Sequence, residues 1–279
     1  MDVILNLAPT GMVPTRDQTP HVPLRPEEVV TDVLRCAEVG ISSVHLHARD
    51  ADGAPTHRKA VYAEMIAGIR AARPDLVICV SCSGRNVSDV DRRAEVLELD
   101  GPLRPDMASL TLSSLNFATS ASLNAPDVVR ELAIRMKERG IRPELEIFDL
   151  GMASYARYLF DRGILQPPLH ANLFFGNVAG AQPTLLEIAA VVAALPEGCT
   201  WGLAGFGAAQ LTVNATAIAH GGGVRVGLED NLWWDADRTR LATNPELVER
   251  VHRLAAEHGR RVMSPAAVRE LLGLPAPPA

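Results

Sequence analysis

The sequence is poor in aromatic residues and in cysteine. Three Trp, three Tyr and six Phe among 279 residues are too few for the stacking platforms on which single-stranded nucleic acids lie. Lys and Arg occur singly rather than in runs, and the formal net charge is -6. Both features argue against a surface that tracks nucleic acid or an anionic membrane. No stretch approaches the roughly 20 uncharged apolar residues of a membrane span. The N-terminus opens on Met1-Asp2 and then a strand-like Val3-Ile-Leu-Asn-Leu7, with no recognisable targeting segment. Four dispersed cysteines, Cys36, Cys79, Cys82 and Cys199, do not make a disulfide framework, so a reducing, cytoplasmic compartment is expected. Cys79 and Cys82 share the spacing of redox and zinc pairs. In a β-rich run, however, residues three apart face opposite sides, and no second pair completes a site. They read as structural thiols.

What is present is alternation. Short apolar runs rich in β-branched residues alternate with longer amphipathic segments, the pattern of a parallel sheet covered by helices. Eight strands are predicted, at 3–8, 42–47, 76–81, 106–111, 143–148, 169–175, 199–204 and 223–228. Helices are predicted near 26–39, 57–72, 88–99, 126–139, 152–162, 183–195, 208–219 and 244–259. Pro26 with Glu27 and Glu28 opens the first helix, Pro126-Asp127 opens the fourth, and Gly40 and Gly140 end them, as helix start and stop chemistry requires. Eight strand-helix units fit a single-domain (β/α)8 barrel over 1–274, with a Pro-rich tail at 275–279; an open doubly wound sheet is the alternative. In a barrel the chemistry collects at the C-terminal ends of the strands.

Those ends carry the informative residues. His45 and His47 lie two apart at the end of the second strand, so both imidazoles project to one face and can reach one metal. Two neutral imidazoles commonly take a carboxylate as third ligand, and Glu229, at the end of the eighth strand, is the candidate. Arg225 precedes it by four residues, a charge that needs a partner there, and Asp230 is that partner if the chain turns. Ser81 and Ser83 follow strand three, and Ser109 to Ser114 with Asn116 surround strand four; such hydroxyls suit a carboxylate or a developing oxyanion. Glu144 and Glu146 alternate on one face of strand five, as an inward acid or as a core ion pair. Glycines at 202, 205 and 207 after strand seven, and at 221–223, fall where barrels often hold an anion. Neither cluster has the dinucleotide fingerprint, which argues against a nicotinamide cofactor.

Four segments together resemble the β-keto acid cleavage enzymes, whose type member is 3-keto-5-aminohexanoate cleavage enzyme. They are Thr10-Gly-Met-Val-Pro-Thr-Arg-Asp-Gln-Thr-Pro-His21-Val-Pro, Val44-His-Leu-His-Ala-Arg-Asp50, Pro143-Glu-Leu-Glu-Ile-Phe-Asp149 and Arg225-Val-Gly-Leu-Glu-Asp-Asn231. The resemblance implies a (β/α)8 barrel, a homo-tetramer, and zinc held by His45, His47 and Glu229. It implies exchange of a β-keto acid with acetyl-CoA to give acetoacetate and a new acyl-CoA. It also implies Asp230 as the acid/base, Arg225 as its assistant, Glu146 as an active-site glutamate, Ser81 and Ser109 as substrate contacts, and Gly205 to Gly207 near coenzyme A. Members acting on amino-substituted substrates carry a glutamate that matches Val13 here, so a cationic tail lacks its counter-charge. Arg85, where the type member has glycine, is a candidate partner for a second carboxylate, a coenzyme A phosphate or solvent. A metal-dependent aldolase or lyase, a metal hydrolase and a non-catalytic binding barrel are the competing classes.

Overall fold

The computed structural model describes residues 2–277. Its eight barrel strands are β1 (Leu5–Leu7), β2 (Ser43–Leu46), β3 (Val77–Val80), β4 (Met107–Thr111), β5 (Arg142–Ile147), β6 (His170–Phe175), β7 (Thr200–Gly205) and β8 (Gly223–Val226). Each pairs in parallel with its sequence neighbours, and β8 closes onto β1. Buried on both faces, these strands read as continuous apolar runs rather than as strict alternation.

The helices cover the outside. α1 (Pro26–Val39) starts on Pro26 and turns Val29, Val33, Cys36 and Ala37 inward, a helical stripe facing the strands. Between β2 and β5 lie α2 (Lys59–Ala72), α3 (Val90–Ala94) and α4 (Pro126–Glu138). α5 (Leu150–Asp161), α6 (Leu185–Ala193) and α7 (Ala209–Ala219) connect the remaining strands. α8 (Asn244–Glu257) is held at its start by a Thr243–Glu246 capping box and buries Leu247, Val248, Val251 and Ala255. No helix among the described residues is long and apolar enough to cross a membrane.

Several elements differ from the expectations. The segment at 88–99 divides into α3 and a tighter turn over Glu95–Glu98. Two small hairpins, Ala48–Arg49 with Pro55–Thr56 and Leu115–Asn116 with Ala121–Ser122, rise above the barrel rim. A ninth helix, α9 (Pro265–Leu271), closes the barrel bottom. Its Val268 packs with Leu272, Leu274 and the inward-facing Ile4, Val77, Cys79 and Met107. Arg269 donates to both carboxylate oxygens of Asp106 at 2.8 Å. Seven residues are too short for periodicity to mark a helix beside a proline-rich tail. Of that tail, residues 278 and 279 lie outside the described residues, as does Met1.

The eighth strand stops at Val226, two residues short of the expected end. Gly227 takes φ +151°, and a Cβ there would lie 2.1 Å from the Ala8 carbonyl, so only glycine allows this close turn. The turn carries Glu229 and Asp230 off the strand and over the barrel mouth.

Candidate active site

The geometry begins with a buried carboxylate. Glu144, on β5, accepts from Asn6 Nδ2 at 2.7 Å and from His45 Nδ1 at 2.7 Å. Burial alone would raise the carboxyl, but the His45 and Arg225 charges outweigh it and hold Glu144 down at about 2. Burial and the Arg225 charge would lower His45, but Glu144 and Glu229 raise it above its ordinary value; a metal at Nε2 would displace the proton there while Glu144 keeps the one on Nδ1. His45 Nε2 lies 3.2 Å from His47 Nε2, and His47 Nε2 lies 3.2 Å from Glu229 Oε1.

His45, His47 and Glu229 therefore present three donor atoms within 4.8 Å of one another. Glu229 Oε2 is buried and has no hydrogen-bond partner among the described residues. Burial drives His47 below its ordinary value despite the Glu229 charge, which favours the neutral imidazole that ligation requires. Two imidazoles and a carboxylate are a zinc-type donor set, and Glu144 is the hydrogen-bonded support such a histidine usually has. The donors present thus fit a divalent ion. A second grouping, His45 with Cys79 and Glu144, does not: the facing nitrogen of His45 is bonded to Glu144, and burial holds the Cys79 thiol well above its ordinary value.

Gly11 packs closely against the Glu229 side chain. It takes φ +67°, and a Cβ would lie 2.5 Å from Glu229 Cγ. Arg49 clamps the Gly11 loop, donating from Nε to Gly11 O at 2.9 Å and from Nη2 to Pro14 O at 3.1 Å.

Beside the three donors, Arg225 is buried between two carboxylates. Its Nη2 lies 2.6 Å from Glu229 Oε1 and its Nε 3.0 Å from Asp230 Oδ2. Nη1 is buried without a partner among the described residues. Burial lifts Asp230 to about 6; the Arg225 charge opposes the rise and the Glu229 charge adds to it. A carboxyl poised there is ionised at neutral pH yet basic enough to take a proton.

His47, Glu229, Asp230, Arg225, Glu146, Ser81, Arg85 and Val13 line one cavity of about 70 Å³, with His45 behind His47. Thr111 Oγ1 donates to Glu146 Oε2 at 2.5 Å. The cavity opens into a mouth of about 490 Å³ lined by Gly207, Asn177, Trp233 and Arg238. Three expected site residues lie elsewhere. Ser109 is buried and its Oγ accepts from Cys82 N at 3.1 Å. Asn116 is exposed on its hairpin, and its carbonyl accepts from Asn177. Gly205 packs under α7, where a Cβ would lie 2.7 Å from Gln210 Cα. Sequence reasoning missed Asn6, Arg49 and a wall of phenylalanines, and included Thr111 only within the hydroxyl run at 109–114. Phe148 stacks on Phe174 at 4.4 Å and on Phe206 at 6.2 Å, with Phe117 edge-on at 5.7 Å. A polar Asn6 inside an apolar strand was the one legible signal among them.

Under the rim, His57 is buried and donates from Nε2 to Ser83 O at 3.0 Å, while Nδ1 has no partner among the described residues. Burial and the nearby positive charges hold it down to about 4. Because this lies below the ordinary value of about 6.5, its stabilisation is complete above that pH and is lost as pH falls toward 4. The expected contribution is about 3 kcal/mol between those limits. Urea unfolding at pH 7 and 4.5 should show a smaller pH-induced loss of stability in His57→Gln than in the parent.

An eight-stranded barrel with a His-His-Glu donor set and an Arg-Asp pair at its mouth defines the class: a (β/α)8 barrel with a candidate metal site. The sequence profile of the beta-keto acid cleavage enzymes matches residues 2–274, and the chain belongs to that family of enzymes. It is 35% identical over 275 residues to 3-keto-5-aminohexanoate cleavage enzyme of Fusobacterium nucleatum, covering 98% of each chain. It is 37% identical over 276 residues to 3-oxoadipate:acetyl-CoA acetyltransferase of Cupriavidus necator, covering 98% of this chain and 95% of that one. Among solved structures, apo ObcA shares the fold with a TM-score of 0.78 at 21% identity, covering 91% of this chain and 66% of that chain.

Proposed function

We propose that this protein is a zinc-dependent β-keto acid cleavage enzyme that converts a β-keto acid and acetyl-CoA into acetoacetate and a new acyl-CoA. The observation that carries the reading is the convergence of His45, His47 and Glu229 beside the Arg225–Asp230 pair in one cavity. His45 Nε2, His47 Nε2 and Glu229 would hold the zinc. When bound, the ion supplies a Lewis acid for the oxygens of a β-keto acid.

The protein's own residues account for the remaining steps. Asp230 takes the proton from C2, between the two carbonyls, and Arg225 sets its charge and orientation. The unpartnered Nη1 of Arg225 is a donor for a substrate oxygen. C2 then attacks the thioester carbonyl; a C–C bond forms, and the C–S bond breaks to release thiolate. The thiolate adds to C3, the C2–C3 bond breaks, and Asp230 returns its proton to C2. The small inner cavity suits the acid, and the larger mouth beside Gly207 and Arg238 suits the coenzyme A arm. With Met12 and Val13 at the lip, the tail of the substrate is not cationic.

The same reading carries a homo-oligomeric, tetrameric assembly in the cytoplasm. Leu185 and Leu186, 72% and 81% exposed, offer apolar surface to such contacts. The test is a panel of β-keto acids assayed with and without acetyl-CoA. Acyl-CoA formation that depends on acetyl-CoA, with 3-keto-5-aminohexanoate a poor substrate, is the expected result. Cleavage without acetyl-CoA would make the enzyme a lyase, and preference for the amino substrate would overturn the tail assignment.

A further inference from the structure

The cavity holds one cation that the proposed chemistry leaves unused. Arg85 follows β3 and lines both the inner cavity and the mouth. Its guanidinium carbon lies over the Phe117 ring, 3.9 Å from the centroid. Its Nε donates to Ser120 Oγ at 3.0 Å. The backbone N of Arg85 donates to Ser83 Oγ at 3.3 Å. The ring contact and the Nε bond together position the group. Among the described residues, neither terminal nitrogen has a hydrogen bond and no carboxylate forms an ion pair with the group.

The acids that share the cavity are engaged elsewhere, apart from Glu229 Oε2, whose charge acts on Arg85 without forming an ion pair. Glu229 and Asp230 hold Arg225, and Glu146 accepts from Thr111. A half-buried guanidinium positioned by an aromatic face, with its two-nitrogen edge free, matches a carboxylate in fork-to-fork geometry. The substrate's first carboxylate is assigned to the metal end of the cavity, so Arg85 is available for a second one. Phe117, Phe148 and Leu115 are part of the apolar lining of the same cavity and suit a short methylene chain.

Resting on the reading above, we propose that Arg85 binds a carboxylate at the distal end of the tail, so that the preferred substrate is a 3-oxo dicarboxylic acid. The test compares 3-oxohexanedioate with 3-oxohexanoate, each with acetyl-CoA, in the zinc-loaded parent enzyme, Arg85→Gln and Arg85→Lys. The parent is expected to favour the diacid by about 100-fold in kcat/KM, the fold-change expected of a charge-assisted hydrogen-bonded pair. Arg85→Gln is expected to erase most of that preference while changing the monoacid by less than about threefold, with Arg85→Lys between the two. Equal turnover of both acids by the parent needs no variant and would overturn the proposal. So would a loss in Arg85→Gln that is the same for both acids, or one confined to the KM for acetyl-CoA, which assigns Arg85 to a coenzyme A phosphate. In each of these cases acetyl-CoA-dependent cleavage persists and only the role of Arg85 fails. Absence of cleavage with any β-keto acid overturns the underlying function as well.

Discussion

Asp230→Asn is expected to lower kcat about 10³-fold while leaving bound zinc at the parent level, the scale of a lost general base. The amide matches the carboxylate in shape and still offers an oxygen to Arg225, but it cannot take a proton. Arg225 keeps Glu229 at 2.6 Å as its other partner, so the variant retains a charge partner for the buried guanidinium. In the parent, activity should fall as pH drops through about 6, where Asp230 becomes protonated. The residual activity of the variant should lack that acidic limb. Metal analysis with a pH-rate profile checks both points, and retention of more than a tenth of the parent kcat would remove Asp230 from the base role.

Replacing either histidine is expected to abolish zinc retention and turnover, but the two variants should differ in stability. His47→Ala removes one donor and leaves Glu229 still paired with Arg225. His45→Ala also strips the charged partner from Glu144, which is 1% exposed and keeps Asn6 as its remaining hydrogen-bond donor. Leaving a buried charge without its partner costs about 3–5 kcal/mol. His45→Ala should therefore melt well below His47→Ala when both are compared without metal. The double variant His45→Ala with Glu144→Gln should recover much of that loss. Equal melting temperatures for the two single variants would remove Glu144 from its supporting role, and zinc at parent stoichiometry in His47→Ala would remove the metal-site assignment.

Much of this was legible along the chain because parallel barrels write their topology locally. Each of the eight strands is a short apolar run buried on both faces, and the longer helices carry a stripe of fixed period. His45 and His47 were legible for the same reason: a two-residue spacing in a strand puts both on one face wherever that strand goes. Arg225 and Asp230 could be paired from the charge itself, since a buried guanidinium needs a partner within reach.

Other features depend on which strands become neighbours. Glu144 lies 99 residues from His45, and nothing in either segment states that they touch. The same holds for Ser109, which looks like a rim hydroxyl in sequence but is turned to the Cys82 amide, and for Asn116, which an exposed hairpin carries away from the cavity. Gly205 reads as an anion-loop glycine, whereas the close approach of α7 is what requires it. The phenylalanine wall draws one residue each from four distant segments.

The sequence by itself determined the eight strand-helix units, the shared face of the two histidines and the chemical types at the strand ends, because these rest on spacing and local backbone chemistry. Only the tertiary structure decided which acid supports which histidine, which hydroxyls reach the cavity and which cation stands in it without an ion pair among the described residues. The physical reason is closure: joining β8 to β1 brings together side chains that are far apart along the chain. Hydrogen bonds and burial then assign each polar group its partner.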